Sequence, residues 1–143
     1  MKKAFAIAAL VCAAFGLRAQ TVSTIATNNL FEPHSIAIDL SSNLYYLSDS
    51  VDNRIVILNP ADGSMSVLGA YPFFNPEGLV LARGGAVVAD SGNHQIDFVD
   101  NQGSVTTIAG STLGFQNGSG TSAKFSSPSG LAVDGAGNIT WRI

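Results

Sequence analysis

One passage of this chain is written twice and begun a third time. Pro33-His-Ser-Ile-Ala-Ile-Asp39, followed ten residues on by Asp49-Ser-Val-Asp-Asn-Arg-Ile55, returns as Pro76-Glu-Gly-Leu-Val-Leu81 with Asp90-Ser-Gly-Asn-His-Gln-Ile96. It starts again at Pro128-Ser-Gly-Leu-Ala-Val-Asp134, so the spacing is 43 residues and then 52. A unit of this length cannot bury its apolar faces by itself and has to stack on neighbouring copies. The chain is therefore limited to architectures made of small stacked units.

Alternation and turn residues divide each unit into four strands. In the first repeat they are expected at 36–39, 44–48, 54–59 and 64–69, and in the second at 78–82, 85–89, 95–100 and 104–110. Asp39-Leu-Ser-Ser-Asn43 and Asn59-Pro-Ala-Asp-Gly63 supply turns. Nothing after the first 19 residues has the 3.6-residue spacing of a helix. Four strands per period is one β-propeller blade. The fold expected is all-β: an incomplete propeller with two four-stranded antiparallel blades packed face to face, repeats at about 33–70 and 76–110, and a partial third at 128–143. Its core should include Ile36, Ile38, Leu44, Tyr46, Ile55, Ile57, Leu79, Leu81, Val87, Ile96, Val99, Ile108, Leu131 and Val133.

Val22-Ser-Thr-Ile-Ala26 matches Met65-Ser-Val-Leu-Gly69 and Val105-Thr-Thr-Ile-Ala109, so it reads as a fourth strand without the first three. An extra stretch rich in Gly, Ser and Thr, at about 111–122, precedes the third repeat and is expected to be an exposed loop. Trp141-Arg142-Ile143 departs from the small-residue-then-Asp ending of Leu47-Ser-Asp49 and Val88-Ala-Asp90, which reads as a truncated or frame-shifted C-terminus and makes the chain the truncated N-terminal portion of a longer propeller. Exposed blade faces and strand edges would then favour self-association.

Residues 1–19 have a Met1-Lys2-Lys3 start, an apolar run from Ala4 to Leu17 and Ala19 at a cleavage point, the pattern of a secretory signal peptide. That run is shorter than the ~20 residues a membrane-spanning helix needs. The expectation is a secreted or periplasmic protein, residues 20–143, with no membrane attachment after cleavage. The single Cys12 lies inside the leader, which excludes disulfides and thiolate metal sites from the remainder. Without Lys2, Lys3 and Arg18 the chain carries 4 basic and 10 acidic residues, a net charge of −6. Such a surface does not suit nucleic acid.

The stretch Val105-Thr-Thr-Ile-Ala-Gly110, Gly114-Phe-Gln-Asn-Gly118, Ala123-Lys-Phe125, Ser127-Pro-Ser-Gly-Leu-Ala-Val-Asp134 and Gly137-Asn-Ile139 resembles the NHL-repeat β-propellers. Ala89-Asp-Ser-Gly-Asn-His-Gln-Ile96 is similar to that family's Ala-Asp-x-Gly-Asn-His-Arg-Ile segment, with Gln95 where Arg is usual. Asp49-Ser-Val-Asp-Asn-Arg-Ile55 keeps the Arg as Arg54. The resemblance implies a propeller of the six-bladed kind and makes His94 a packing or turn residue. It covers about 21–139 and carries a fold more than a function.

Asp49 and Asp90 are expected to be structural, accepting backbone N–H bonds in the turn after the second strand. His34 and Glu77 stand at equivalent places where the chain enters a blade, with Ser129 as the third, and are the candidate ligand-binding residues. Glu32 with His34 and Glu77 with Asp90 are conceivable acid–base pairs, although no spacing brings either together. No Gly-x-Ser-x-Gly elbow and no phosphate loop occur. The function expected is that of a secreted, non-catalytic module binding a protein, peptide or glycan, without cofactor and without assigned catalytic or metal-binding residues. The alternative is part of a lyase or lactonase-like propeller enzyme, whose axial Ca or Zn would be held by residues of several blades.

Overall fold

A computed structural model describes residues 30–69 and 73–143, together with two short strands, β1 (Ala8–Leu10) and β2 (Val22–Thr24). The first blade consists of β3 (Pro33–Asp39), β4 (Leu44–Asp49), β5 (Arg54–Leu58) and β6 (Met65–Leu68), antiparallel in sequence order. The second is β7 (Pro76–Ala82), β8 (Gly85–Asp90), β9 (Gln95–Asp100) and β10 (Val105–Gly110), in the same order. A third unit has two strands, β11 (Leu131–Val133) and β12 (Ile139–Trp141). The fold is that of an incomplete β-propeller, and the eight blade strands fall within two residues of their expected starts, or three for β3.

Side-chain alternation explains the stacking. In the first blade Ala37, Tyr46, Ile55, Ile57 and Leu68 face the second, whose Leu79, Leu81, Ala86, Val88, Val99 and Val105 meet them around Phe73. The opposite face of the second blade gathers Val80, Val87, Ala89, Ile96, Phe98 and Ala109 against Leu131, Ile139, Ala123 and Phe125. A third cluster, Leu30, Tyr45, Leu47, Val56 and Leu58, lies on the first blade's face away from the second. β8, covered on both faces, is buried at all six positions; such a strand reads as a continuous apolar run.

Of the expected core, Ile55, Leu79, Val87, Ile96 and Val99 are buried, and Leu44, Tyr46, Ile57, Leu81 and Leu131 are half-buried. Ile36, Ile38, Ile108 and Val133 are instead exposed. The first two point from the inner strand to the first blade's outer face, and Ile108 is the residue left out of the pairing by a register shift in β10. Leu47, Leu58, Ala86 and Val88 take their place in the core because both faces of a blade bury apolar groups.

Close backbone approach sets the spacing between units. A Cβ on Gly78 would lie 2.0 Å from the Ser129 carbonyl oxygen, and one on Gly69 2.8 Å from that of Gly103, so glycine is required at both. The 111–122 stretch is exposed at nearly every residue and doubles back through Gln116–Lys124 backbone bonds of 3.1 and 3.0 Å and a bridge from Leu113 to Phe125. Although Trp141 departs from the repeat, it pairs with Leu131 and sets its ring edge-on to Phe125 at 5.4 Å.

Strand β1 pairs antiparallel with β2 in a ladder separate from both blades. The fourth-strand pattern beginning at Val22 is thus paired with a segment of the expected leader. Otherwise the leader, its cleavage point and Cys12 lie outside the described residues, as does the end of the pattern at Ala26. Among the described residues no helix is long and apolar enough to cross a membrane.

The burial pattern separates two isoleucines that sequence alone treats alike. Ile55→Ala, at 0% exposure, should lower unfolding free energy by about 2–5 kcal/mol through lost transfer and cavity terms. Ile36→Ala, at 46% exposure, should cost less than about 1 kcal/mol. Urea denaturation of both variants tests this, and equal losses would contradict the assignment of faces.

Candidate functional site

Inner strands β3, β7 and β11 lie side by side, and their N-terminal ends meet the turns that follow β4 and β8. At this end a cleft of about 280 Å³ is lined by His34 and Ser35 of the first blade, Glu77 and Gly78 of the second, and Ser129, Gly130, Leu131 and Arg142 of the third. His34, Glu77 and Ser129 each follow the repeat's proline. Stacking thus converts three equivalent sequence positions into neighbours with an imidazole, a carboxylate and a hydroxyl.

The main chain beneath them is held by hydroxyl bonds between blades. Ser50 Oγ donates to the Pro76 carbonyl at 2.6 Å, and Ser91 Oγ, its counterpart, donates to the Pro128 carbonyl. Ser48 Oγ donates to the Glu77 carbonyl at 2.5 Å, and Ser35 Oγ accepts from Leu79 N–H at 3.2 Å. Asn53 and His94, equivalent residues in left-handed backbone, accept through Oδ1 and Nδ1 from the N–H groups of Asn75 (2.7 Å) and Ser127 (3.2 Å). His94 is thus a link between units and does not line the cleft.

Ser35 is engaged with the Leu79 main chain, whereas the side chains of His34, Glu77 and Arg142 remain accessible in the cleft. His34 Nε2 lies 3.8 Å from Glu32 Oε1, a pairing that sequence spacing did not reveal. Asn75 Nδ2 reaches Glu77 Oε1 at 3.4 Å. Arg142 donates from Nε and Nη2 to Ser129 Oγ at 3.1 and 2.9 Å. The arrangement offers a cation, a carboxylate, an imidazole and a hydroxyl to a polar ligand. Among the described residues no three His, Cys, Asp or Glu side chains come together as a metal-binding group.

Asp49 and Asp90 are fully buried beside this end. Their backbone donors come from the chain entering the blade: Phe31 and Glu32 N–H reach Asp49 Oδ1 at 3.2 and 3.1 Å, and Phe74 N–H reaches Asp90 Oδ1 at 2.8 Å. The sequence reading sought these donors in each aspartate's own turn. Asp49 is paired with the Arg54 guanidinium at 3.0 Å. Asp90 receives the Asn93 amide at 2.7 Å, and Gln95, in the position of Arg54, bonds both oxygens of buried Asp97. Burial pushes the Asp90 carboxyl up to about 6; the Asn93 and Phe74 hydrogen bonds oppose this, and the Asp97 carboxylate reinforces it.

No protein-family model matches the chain, and no protein of curated function matches its sequence. Solved structures share its fold. A gluconolactonase from Xanthomonas campestris aligns over 76% of this chain with a TM-score of 0.59 and 22% identity. A Bacteroides thetaiotaomicron protein of unknown function aligns over 84% with a TM-score of 0.64 and 20% identity. Virginiamycin B lyase from Staphylococcus aureus aligns over 80% with a TM-score of 0.58 and 17% identity. The chain spans 34%, 33% and 36% of those proteins' lengths. At these identities the likeness concerns the propeller fold alone.

A group whose folded pKa is raised stabilises the fold while protonated, so the Asp90 contribution is greatest below its unfolded value of 3.8 and is lost as pH rises through about 6. Gln95→Arg should restore the charge pairing of the first blade, raise the melting temperature at pH 7 and flatten its fall between pH 4 and 7. Thermal melts at each pH check this; an unchanged slope would show that Asp90 is not the group responsible.

Proposed function

We propose that this chain is part of an exported NHL-type propeller that binds a protein, peptide or glycan through the cleft at the start of its inner strands. The observation that carries this reading is the convergence of His34, Glu77 and Ser129, equivalent in the repeat but different in chemistry, on one accessible wall. At Glu77 and Ser129 the main chain takes part in blade packing, while the side chains line the cleft with that of His34. Arg142 extends the wall with a guanidinium suited to carboxylate or hydroxyl acceptors. Mixed charge and hydrogen-bonding groups in a concave surface suit a polar ligand held by orientation more than by apolar area.

NHL membership is supported by the Asp90-Ser-Gly-Asn-His94 segment and by the roles its residues take. Asp90 secures the incoming chain, Ser91 reaches the next unit's proline carbonyl, and His94 binds the residue before that proline. Export is supported by the leader pattern of residues 1–19. A catalytic role would require further groups beside His34 and Glu77, and the non-catalytic reading needs none.

Peptide and glycan arrays probed with the labelled chain provide the test. For any ligand retained, His34→Ala and Glu77→Ala should each weaken binding by about tenfold or more, as removal of a central contact does, without lowering the melting temperature. Unchanged affinity in both variants would exclude the cleft, whereas turnover of a retained ligand would replace binding with catalysis.

A further inference from the structure

We propose that His94 is a proton-operated joint between the second blade and the third unit, loosened when its imidazole takes up a second ring proton. His94 closes the short helical turn Ser91–Asn93 in left-handed backbone at φ 58°, and Asn53 holds the equivalent place in the first blade at φ 54°. From there each side chain reaches the residue before the next unit's proline. Asn53 Oδ1 accepts from Asn75 N–H at 2.7 Å, and His94 Nδ1 accepts from Ser127 N–H at 3.2 Å. The geometry is shared but the chemistry differs. An amide oxygen accepts at any ordinary pH, whereas both ring nitrogens of a cationic imidazole are donors. Of these two bonds, only the one made by His94 can be broken by a proton.

Strands β7 and β9 pack against the turn that His94 closes, and their ionisable side chains are Glu77, Asp97 and Asp100. Asp90 begins the turn, and the 111–128 segment that His94 meets carries Lys124. β10, whose Gly110 lies against the His94 carbonyl, carries no charge, nor does the chain at 73–76, whose Phe74 carbonyl accepts from Gly92 N–H. Burial pushes the Asp90 carboxyl up to about 6, so it titrates alongside. Its backbone bond, however, goes to Phe74 at the entry to the second blade and not to the third unit. Ser91 Oγ keeps its bond to the Pro128 carbonyl and does not titrate, so the third unit retains a pivot when the His94 bond is lost. The joint lies two residues from Ser129. Its release therefore loosens the wall of the cleft that Ser129 and Arg142 line, opposite Glu77.

Amide hydrogen exchange of the full chain, followed by NMR between about pH 8 and about pH 5, where imidazoles change charge, reads both junctions in one experiment. After correction for intrinsic exchange chemistry, protection of Ser127 N–H relative to Asn75 N–H should fall about threefold or more on acidification, the loss expected for one hydrogen bond. The midpoint of that fall should coincide with the titration of the His94 ring, followed by its own resonances. His94→Asn places at this junction the residue that the first blade uses. It should hold the ratio constant over the same range while Ser127 stays protected. A ratio that does not change with pH in the unaltered chain would overturn the proposal without need of any variant. So would a fall that persists in His94→Asn or that follows the Asp90 carboxyl, since either would assign the effect to another group.

Discussion

Each blade presents apolar side chains on both faces, and contact between successive blades is the condition on which the rest of this structure depends. Neither sheet can be satisfied alone: Ile55 and Val88 have 0% exposure because each is covered from the neighbouring unit. Burial alone would allow blades to slide, since apolar contact has no direction. Directional bonds supply the missing register. Ser50 and Ser91 reach the next unit's proline carbonyl, and Asn53 and His94 reach the N–H just before that proline. Two adjacent backbone groups are thereby held at each junction, which fixes the start of the following inner strand.

The sequence made the repeat visible because alternation and turn chemistry are local properties. All eight strands of the two blades could be placed from them, and Asp49 and Asp90 stood out as recurring polar residues. The faces were harder to read. Ile36 and Ile55 look alike along the chain, yet one points outward from the first blade and the other into the contact with the second. The serines at 35, 48, 50 and 91 gave little signal in a chain rich in serine. For Ser50 and Ser91 the available clue was recurrence after Asp49 and Asp90, and the partners of all four lie 26 to 44 residues away. The cleft followed from the same long-range geometry: His34 and Glu77 were identified by repeat position, whereas Arg142 entered it through a segment that departs from the pattern.

Comparison of the blades shows how a repeat can keep its geometry while changing its electrostatics. Asp49 is paired with Arg54, which also meets Asp52 at 2.9 Å, but at the equivalent place Gln95 turns to Asp97, which itself replaces the apolar Val56 of the first blade. Two carboxyl groups are consequently buried near one another, and desolvation favours protonation of Asp90. The backbone bond from Phe74 is nevertheless retained, matching those that Phe31 and Glu32 make to Asp49. Chain placement and charge balance are separable demands at this position, and the second blade satisfies the first at a cost in the second.

A similar separation explains why the cleft can carry recognition. At Glu77 the carbonyl oxygen takes the bond from Ser48, while the carboxylate has, among the described residues, a 3.4 Å contact with the Asn75 amide. Pro76 and Pro128 likewise contribute carbonyls to the junctions and are themselves buried. Glu77 and Ser129, the residues after these two prolines, consequently have main-chain groups held by the fold, and their side chains line the cleft with that of His34. Replacement of His34, Glu77 or Ser129 changes the chemistry of the wall without removing a blade contact made by its side chain. A fixed backbone with side chains that take no part in blade stacking is the condition under which ligand preference can vary while stacking is preserved.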